Sequence, residues 1–526
     1  MAQIHPYHDS TQHDSYRNTH LPAEIWNSII SHACTRSRIN LSRVSRLLFD
    51  LTVPYIWRYV NITTVLGLLP GSSHQHPRDP GGFEIEVPSH LPEGYFDRLD
   101  IYAPHIQMVG FTCAWLVPKD YSRHIISWPA IASRTVDRAL LPNLRAISLE
   151  GKWSFGHQLY VALDWVDALA LPSLNLVQCT FNLKLEGIDS VVKDKAQHIL
   201  RQILSRSPKL EYLSLQSYNA WEAAGPSEID HFPFQDTIPQ SLSYLAITSE
   251  LLTSSSLVWI AKLPKLRRLQ LSLPGLTPQH IVDCSMAVFP AQPFGALTCL
   301  EVTTSNLRAA LYLWQTPMVE QFTQARIYGG RNWYIEQFLR LVSLRSPYLT
   351  GLELGIRIDS EVDPHILASL APLLLCELQI GMTRLASTSI LQIIGDTLPL
   401  LELLDLSLTT IDLHDLLYVY RSLPKLKRLS LNLPTELSEV RGLVETYSPP
   451  TSDPTWRNFL FTLVSSAYWI RWIKPEDVNL LARLLAMACP HMKLEVDSGR
   501  QAALFCQSLQ DSVLACGQRL LATTGS

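Results

Sequence analysis

One short phrase recurs down the chain and limits what the chain can fold into. It consists of an apolar residue, two variable residues, an apolar residue, one variable residue and a third apolar residue. The clearest copies are Leu144-Ile147-Leu149, Leu210-Leu213-Leu215, Leu266-Leu269-Leu271, Leu349-Leu352-Leu354, Leu401-Leu404-Leu406 and Leu426-Leu429-Leu431. Weaker copies stand at Leu174-Val177-Cys179, Leu242-Leu245-Ile247, Leu297-Leu300-Val302, Phe322-Ala325-Ile327 and Leu375-Leu378-Ile380. Successive copies begin 24 to 36 residues apart, settling to 25–27 over the last five intervals. Between them, Ala196 to Arg206, Ile335 to Leu344, Thr388 to Leu398, Leu413 to Ser422 and Leu480 to Ala488 carry apolar residues at helical spacing and stop just before a proline, which a helix tolerates poorly. Each unit reads as helix, proline-bearing turn, short strand. A single unit cannot bury its apolar side, but a stack of units can. The expected fold class is α/β: a solenoid with a curved parallel sheet inside and helices outside. The competing reading is a set of unrelated βα units in an open sheet. That reading gives no reason for a shared phrase and register.

Over roughly Leu140 to Val496 the pattern resembles leucine-rich repeat proteins. There are departures. The family usually places Asn or Cys three residues after the third apolar position; Asn182 fits, whereas Lys152, Tyr218, Pro274, Thr409 and Pro434 do not. Inserts such as Gln216 to Gln240 lengthen the early units, so an irregular arc is expected.

The segment before the repeats reads differently. Leu21-Pro22-Ala23-Glu24-Ile25 opens a helix, with Pro22 in the first turn, where its missing N–H is harmless. Ile25 and Ile29 share one side, and Trp26 and Ile30 the neighbouring one. Leu41, Val44, Leu47, Leu48 and Leu51 form a second helical apolar series. These residues resemble an F-box. The resemblance rests on Leu21-Pro22-x-Glu24-Ile25, on Leu41-Ser42-Arg43-Val44-Ser45-Arg46 and on Pro54-Tyr55-Ile56-Trp57-Arg58-Tyr59-Val60, in the family's order. A segment of about 40 residues barely sustains a core of its own, and its apolar residues exceed what one small core covers. It must pack on its own chain, as a cap on the first repeat, or offer a surface to another protein. The resemblance implies the latter: a small all-α module that docks the adaptor subunit of a cullin–RING ubiquitin ligase, with Leu21, Pro22, Ile25, Leu41, Val44 and Trp57 as apolar anchors.

The expected organisation is a disordered tail over 1–18, the F-box over 19–62, a linker with degenerate repeats over 63–138, the repeat solenoid over 139–500 and a C-terminal cap or tail over 501–526. Residues 71–82, rich in Gly, Pro, Ser and His, read as a flexible loop. Within the linker, Ile101, Val109, Phe111 and Trp115 are its scattered apolar residues.

Charge and cysteine usage narrow the function. With 43 basic against 47 acidic side chains, net −4, no overall field favours polyphosphate, so no nucleic-acid partner is expected. The nine cysteines have no two members three apart, which argues against zinc and redox motifs; they read as buried reduced thiols in a reducing compartment, cytoplasmic or nuclear. Cys516 falls in a helical apolar series with Leu509, Val513 and Leu520 and reads as a core position. The window Ile366 to Met382 holds Pro372 and Glu377 and falls short of a membrane span. His5, His8 and His13 read as solvated tail and His74 and His76 as loop, not as a metal cluster. No phosphate loop, nucleophile elbow or zinc-protease motif is present. No cofactor is expected, and no catalysis.

A strand alternates sides, so in each phrase the residues beside the buried ones form the opposite face. That face supplies a candidate substrate platform: Tyr212, Tyr244, Arg268, Gln270, Glu301, Arg326, Tyr328, Glu353 and Arg428. Tyr and Arg are common at binding hot spots. With Glu150 and Glu377 the face is slightly acidic, which suits a protein and not a nucleic acid. The expectation is a substrate-recognition subunit holding an unknown protein. The alternatives are an F-box protein without a degradative role and a leucine-rich repeat scaffold with no ligase role.

Overall fold

The computed structural model describes residues 21–70, 72–74, 83–85, 92–112, 139–151, 166–167, 169, 172–181, 201–217, 239–249, 252–273, 288–290, 293–305, 307–329, 334–356, 363–381, 390–410, 413–417, 419–432, 442, 444–445, 462–466, 475–489, 491–497 and 500–524. The tail over 1–18 and Trp115 lie outside these residues. Two compact units divide the chain: residues 1–74, 83–110 and 122–144 form the first, and 75–82, 111–121 and 145–526 the second.

In the first unit, three helices come first: α1 (Ala23–His32), α2 (Thr35–Leu41) and α3 (Arg46–Ile56). Pro22 is the N-cap of α1, one position earlier than the sequence suggested, and Glu24 lies in its first turn, where a carboxylate suits the helix dipole. Arg38 fastens the other end: its Nε donates to the Ile30 carbonyl at 2.8 Å and its Nη2 to that of Ser31 at 2.9 Å. Both carbonyls belong to the last turn, which lacks the regular intrahelical donors; that of Ile30 also accepts the Ala33 N–H at 3.2 Å. The apolar series Leu41 to Leu51 is not one helix. It breaks after Leu41, and Ser45 starts α3 afresh by accepting the Leu48 N–H at 3.2 Å; an N-capping serine competes with helix continuation.

Past α3 come β1 (Tyr59–Asn61), α4 (Ile62–Leu66), β2 (Ser72–His74), β3 (Phe83–Ile85), α5 (Asp97–Tyr102) and β4 (Met108–Thr112). Strand β1 runs parallel to β4, Tyr59 opposite Met108. Residues 72–74, expected in a loop, instead pair antiparallel with 83–85. Ile30, Val53, Ile62, Val65, Leu99, Ile106 and Val109 are buried, whereas Ile101 is exposed.

The second unit is built as the phrase dictates. Every one of the eleven copies carries a strand: β5 (Ala146–Gly151), β6 (Leu176–Phe181), β7 (Tyr212–Ser217), β8 (Tyr244–Thr248), β9 (Arg268–Leu273), β10 (Cys299–Thr304), β11 (Gln324–Gly329), β12 (Gly351–Ile356), β13 (Glu377–Ile380), β14 (Leu403–Thr410) and β15 (Arg428–Asn432). Two more follow, β16 (Thr462–Ser466) and β17 (Lys493–Asp497). These thirteen strands neighbour one another in chain order, each parallel to the next. This is the parallel sheet of a leucine-rich repeat solenoid.

Register holds the same phrase position opposite itself: Leu269, Leu300, Ala325, Leu352, Leu378, Leu404 and Leu429 follow one another strand by strand, and all are buried. Burying one leucine contributes about 1.5–3 kcal/mol, so the column is a continuous source of stability. A polar ladder runs beside it. The Arg267 carbonyl accepts from the N–H groups of both Thr298 and Cys299 at 2.9 Å. Hydroxyls reinforce the pattern at Thr298 to Arg267 O (3.1 Å), Thr323 to Thr298 O (3.3 Å) and Thr350 to Thr323 O (3.2 Å).

Helices fill the gaps between strands, among them Ser254–Ala261, Leu307–Leu313, Ile335–Arg345, Ile390–Thr397 and Pro475–Ala488. The helix expected over Leu413 to Ser422 is split into Leu413–Leu416 and Val419–Ser422. A final helix, Arg500–Thr524, reaches back to the last strand: Gln510 accepts the Leu494 N–H at 2.5 Å and donates to the Met492 carbonyl at 3.0 Å. It therefore satisfies polar backbone beside a terminal strand, which would otherwise invite pairing with another chain.

Close packing between repeats sets one strict requirement. A methyl group at Gly395 would land on the Cβ and carbonyl oxygen of Ser422. Alanine is the better helix former, yet Gly395→Ala is expected to lower stability by about 1–3 kcal/mol through overpacking. Urea denaturation checks it; an unchanged or raised midpoint would contradict it.

The thiols depart from expectation in part. Cys179, Cys299 and Cys489 are buried, but Cys34 is exposed and Cys376 and Cys516 are half-buried. Cys516 lies one helical turn from the buried Val513, at the margin of the packed face.

Candidate functional site

Two surfaces hold the residues inferred as sites from the sequence. The first is on the N-terminal helices. Leu21, Ile25, Ile29, Ile39, Val44 and Leu47 are all exposed. Val44, in the turn between α2 and α3, is 70% exposed. Meanwhile Ile30, Leu48 and Val53 fill the interior. Helix α1 thus has two apolar stripes. The one holding Ile30 serves its own core, and the one holding Ile25 and Ile29 faces solvent. An exposed apolar patch of this density marks an interaction site.

The six anchors inferred from sequence do not share one environment. Leu21, Pro22, Ile25 and Val44 are exposed, and Leu41 is half-buried at the end of α2. Trp57 already has a partner, its ring stacked on Tyr102 at 4.2 Å. Ile29, Ile39 and Leu47 join the exposed set without having been inferred as anchors. For Ile29 the signal was its i,i+4 spacing from Ile25. A family model for the F-box domain matches residues 19–52.

These residues are an F-box domain.

No curated protein matches the chain. Among solved structures, the crystal structure of the Rad7 and Elc1 complex in yeast contains a chain 14% identical to this one, with a TM-score of 0.31, covering 78% of this chain and 89% of that one.

The second surface lies on the sheet face opposite the buried leucines. The inferred platform residues from β7 to β12 form a ladder of two contact groups, Tyr212 to Glu301 and Arg326 to Glu353, which adjoin where Glu301 stands opposite Arg326 in register. The Tyr212 and Tyr244 rings stack in parallel at 4.0 Å. Tyr244 donates its hydroxyl hydrogen to Gln270, and the Arg268 guanidinium lies 5.5 Å from the Tyr244 ring centre. Arg268 Nη2 pairs with Glu301 Oε2 at 2.6 Å, and Arg326 Nε with Glu353 Oε2 at 3.3 Å. Tyr328 donates to the other Glu353 oxygen at 2.6 Å. Its ring lies over Gly355, where an added methyl would strike it.

Burial sets the electrostatics of this ladder. It pushes both the Tyr244 and Tyr328 phenols up, the latter helped by its hydrogen bond to Glu353, so both stay neutral donors. Burial alone would lower the Arg268 pKa, but the Glu301 carboxylate more than offsets it. Cys299, one of the cysteines expected to be a buried thiol, lies in register between Arg268 and Gln324 and is held as a thiol by burial. Arg428 is not part of the ladder. It stands on β15 between Leu403 and Thr462, exposed. The ladder is half-buried, aromatic and internally charge-paired. It can offer flat contact area and directed hydrogen bonds. Among the described residues no group of His, Cys, Asp and Glu could hold a metal ion, and no helix is long and apolar enough to cross a membrane.

Proposed function

We propose that the chain is the substrate-recognition subunit of a cullin–RING ubiquitin ligase, its F-box docking the adaptor subunit and its repeats holding a target protein. One observation carries the reading: an F-box domain whose exposed apolar side chains include Leu21, Ile25 and Val44. Apolar side chains at a protein interface contribute most when buried in a central cluster, and the adaptor would bury these. The platform from Tyr212 to Glu353 is the surface offered to the target. The chain contributes no catalytic group in this scheme. Tethering a target near the charged conjugating enzyme raises its effective concentration, and transfer follows from proximity. Cys34, Cys179, Cys299, Cys376, Cys489 and Cys516 are free thiols, in keeping with a cytoplasmic or nuclear protein.

The test is co-purification of the full chain with adaptor and cullin, followed by ubiquitin transfer to co-captured protein. Capture with transfer is expected. Capture without transfer would favour a non-degradative F-box protein, and no capture would leave a repeat scaffold. Within an active complex, Tyr244→Ala removes the ring shared by Tyr212 and Arg268. It should cut target retention about tenfold or more, a hot-spot loss of roughly 1.4–2 kcal/mol, while adaptor capture stays unchanged. Undiminished retention would exclude this face.

A further inference from the structure

A third surface belongs to neither reading. It lies at the N-terminal edge of the strands, where each proline-bearing turn enters the sheet. The residue just before the first apolar position is Lys209, Lys265 and Lys425 in three repeats. In three consecutive repeats between them it is apolar: Tyr348, Leu374 and Leu400. Each stands three residues before the start of β12, β13 or β14, whose first residues Gly351, Glu377 and Leu403 are in register. The three therefore neighbour one another along the rim, spanning about 10 Å at the usual strand spacing. Tyr348 is 66% exposed and Leu374 64%, with Leu344, at the end of the preceding helix, 77% exposed. Leu400 is half-buried. Neither the repeat core nor the ladder uses these side chains.

The surroundings indicate what would cover them. Exposed Lys265 and Arg267 lie just before β9, three strands or about 14 Å from Tyr348 at the usual strand spacing, and exposed Lys425 lies beside the patch at β15. Two nearby carboxylates are already engaged, Glu320 with Arg345 at 2.7 Å and Glu402 with Lys427 at 2.6 Å, while Glu377, at the start of β13, is exposed. The rim is thus apolar in the middle and basic at both ends. Three exposed side chains fall well short of the roughly 800 Å² per partner that a stable dimer buries, which argues against a second copy.

We infer that this rim docks a linear segment of a partner protein, one with two or three closely spaced apolar anchors flanked by acidic residues. Apolar anchors would cover Tyr348, Leu374 and Leu344, and the acidic flanks would meet Lys265, Arg267 and Lys425. The inference does not depend on the ligase reading, since it uses neither the F-box nor the ladder.

A phage-displayed random peptide library panned on the full chain tests it. The Tyr348→Lys, Leu374→Lys variant serves as the counter-target; lysine is native at the equivalent place in three sister repeats, so the fold tolerates it. A second variant, Lys265→Glu, Lys425→Glu, leaves the apolar patch intact. The expected result is enrichment of peptides with paired apolar anchors and Asp or Glu on both sides. Their affinity should fall at least tenfold on either variant and weaken as salt rises. The inference is overturned if no peptide distinguishes wild type from the lysine variant, or if the enriched flanks are basic. Sedimentation showing wild type but not the lysine variant as a dimer would overturn it too, in favour of self-association.

Discussion

Aspartate at both Ile25 and Val44 should abolish capture of the adaptor while leaving the chain folded. Both side chains are exposed, and surface substitutions away from caps and cores usually change stability by no more than about 0.5 kcal/mol. The cost falls on the complex instead. Truncating a central apolar anchor costs roughly 2 kcal/mol or more, and a buried, unpaired carboxylate adds several more. Two such sites predict a loss of affinity beyond about a hundredfold, since each 1.4 kcal/mol is a factor of ten. Quantitative pull-down or calorimetry with the full chain gives the number, and circular dichroism confirms the fold. Ile30→Asp is the informative control. Ile30 is buried on the same helix, so that change should unfold the module as well as abolish binding. Full adaptor capture by the Ile25→Asp, Val44→Asp chain would sink the docking assignment.

The contrast between Ile25 and Ile30 also shows how far the sequence could be read. Both are isoleucines on one helix, and the spacing places them on different stripes. Spacing does not say which stripe faces inward. That depends on where Arg38 pins the end of α1 and where Ser45 restarts the chain, contacts that no periodicity encodes. The repeats were easier, because each phrase residue meets its counterpart in the next copy and the pattern is the packing. The last two strands carry no full copy of the phrase, although the repeat region is expected to run to Val496: Leu460 and Leu463 are followed by Ser465, and Leu494 and Val496 are preceded by His491 at the first apolar position. The face opposite the leucines was legible as a set of positions. Its wiring was not, because Arg268 stands opposite Cys299 and reaches Glu301 two residues along the neighbouring strand, whereas Arg326 meets Glu353 directly opposite. Arg428 shares their strand face but lies outside the β7–β12 ladder, and alternation alone could not separate it from them.

The largest loss of stability should come from Trp314→Ala. Trp314 follows the helix Leu307–Leu313 and is fully buried. Its ring meets Phe322 edge-on at 5.9 Å and Phe338 at 5.0 Å, and its indole N–H donates to Ser346 Oγ at 3.2 Å. Phe322 leads into β11 and Phe338 lies on the helix Ile335–Arg345, so one side chain joins successive repeats. Truncating a buried tryptophan costs about 3–5 kcal/mol, and leaving the buried Ser346 hydroxyl without its indole donor adds to it. In a stacked array each repeat is held mainly by its neighbours, so the loss should be local before it is global. Hydrogen exchange should speed first in the amides of β10, β11 and β12, while β5 and β6 keep their protection. Trp314→Phe separates the two contributions. It retains most ring contacts and gives up the N–H, and should cost less than half as much. Uniform loss of protection across all strands would show that the repeats unfold as one unit and that Trp314 is no local clasp. A change under about 1 kcal/mol would mean that the three aromatic rings do not hold these repeats together.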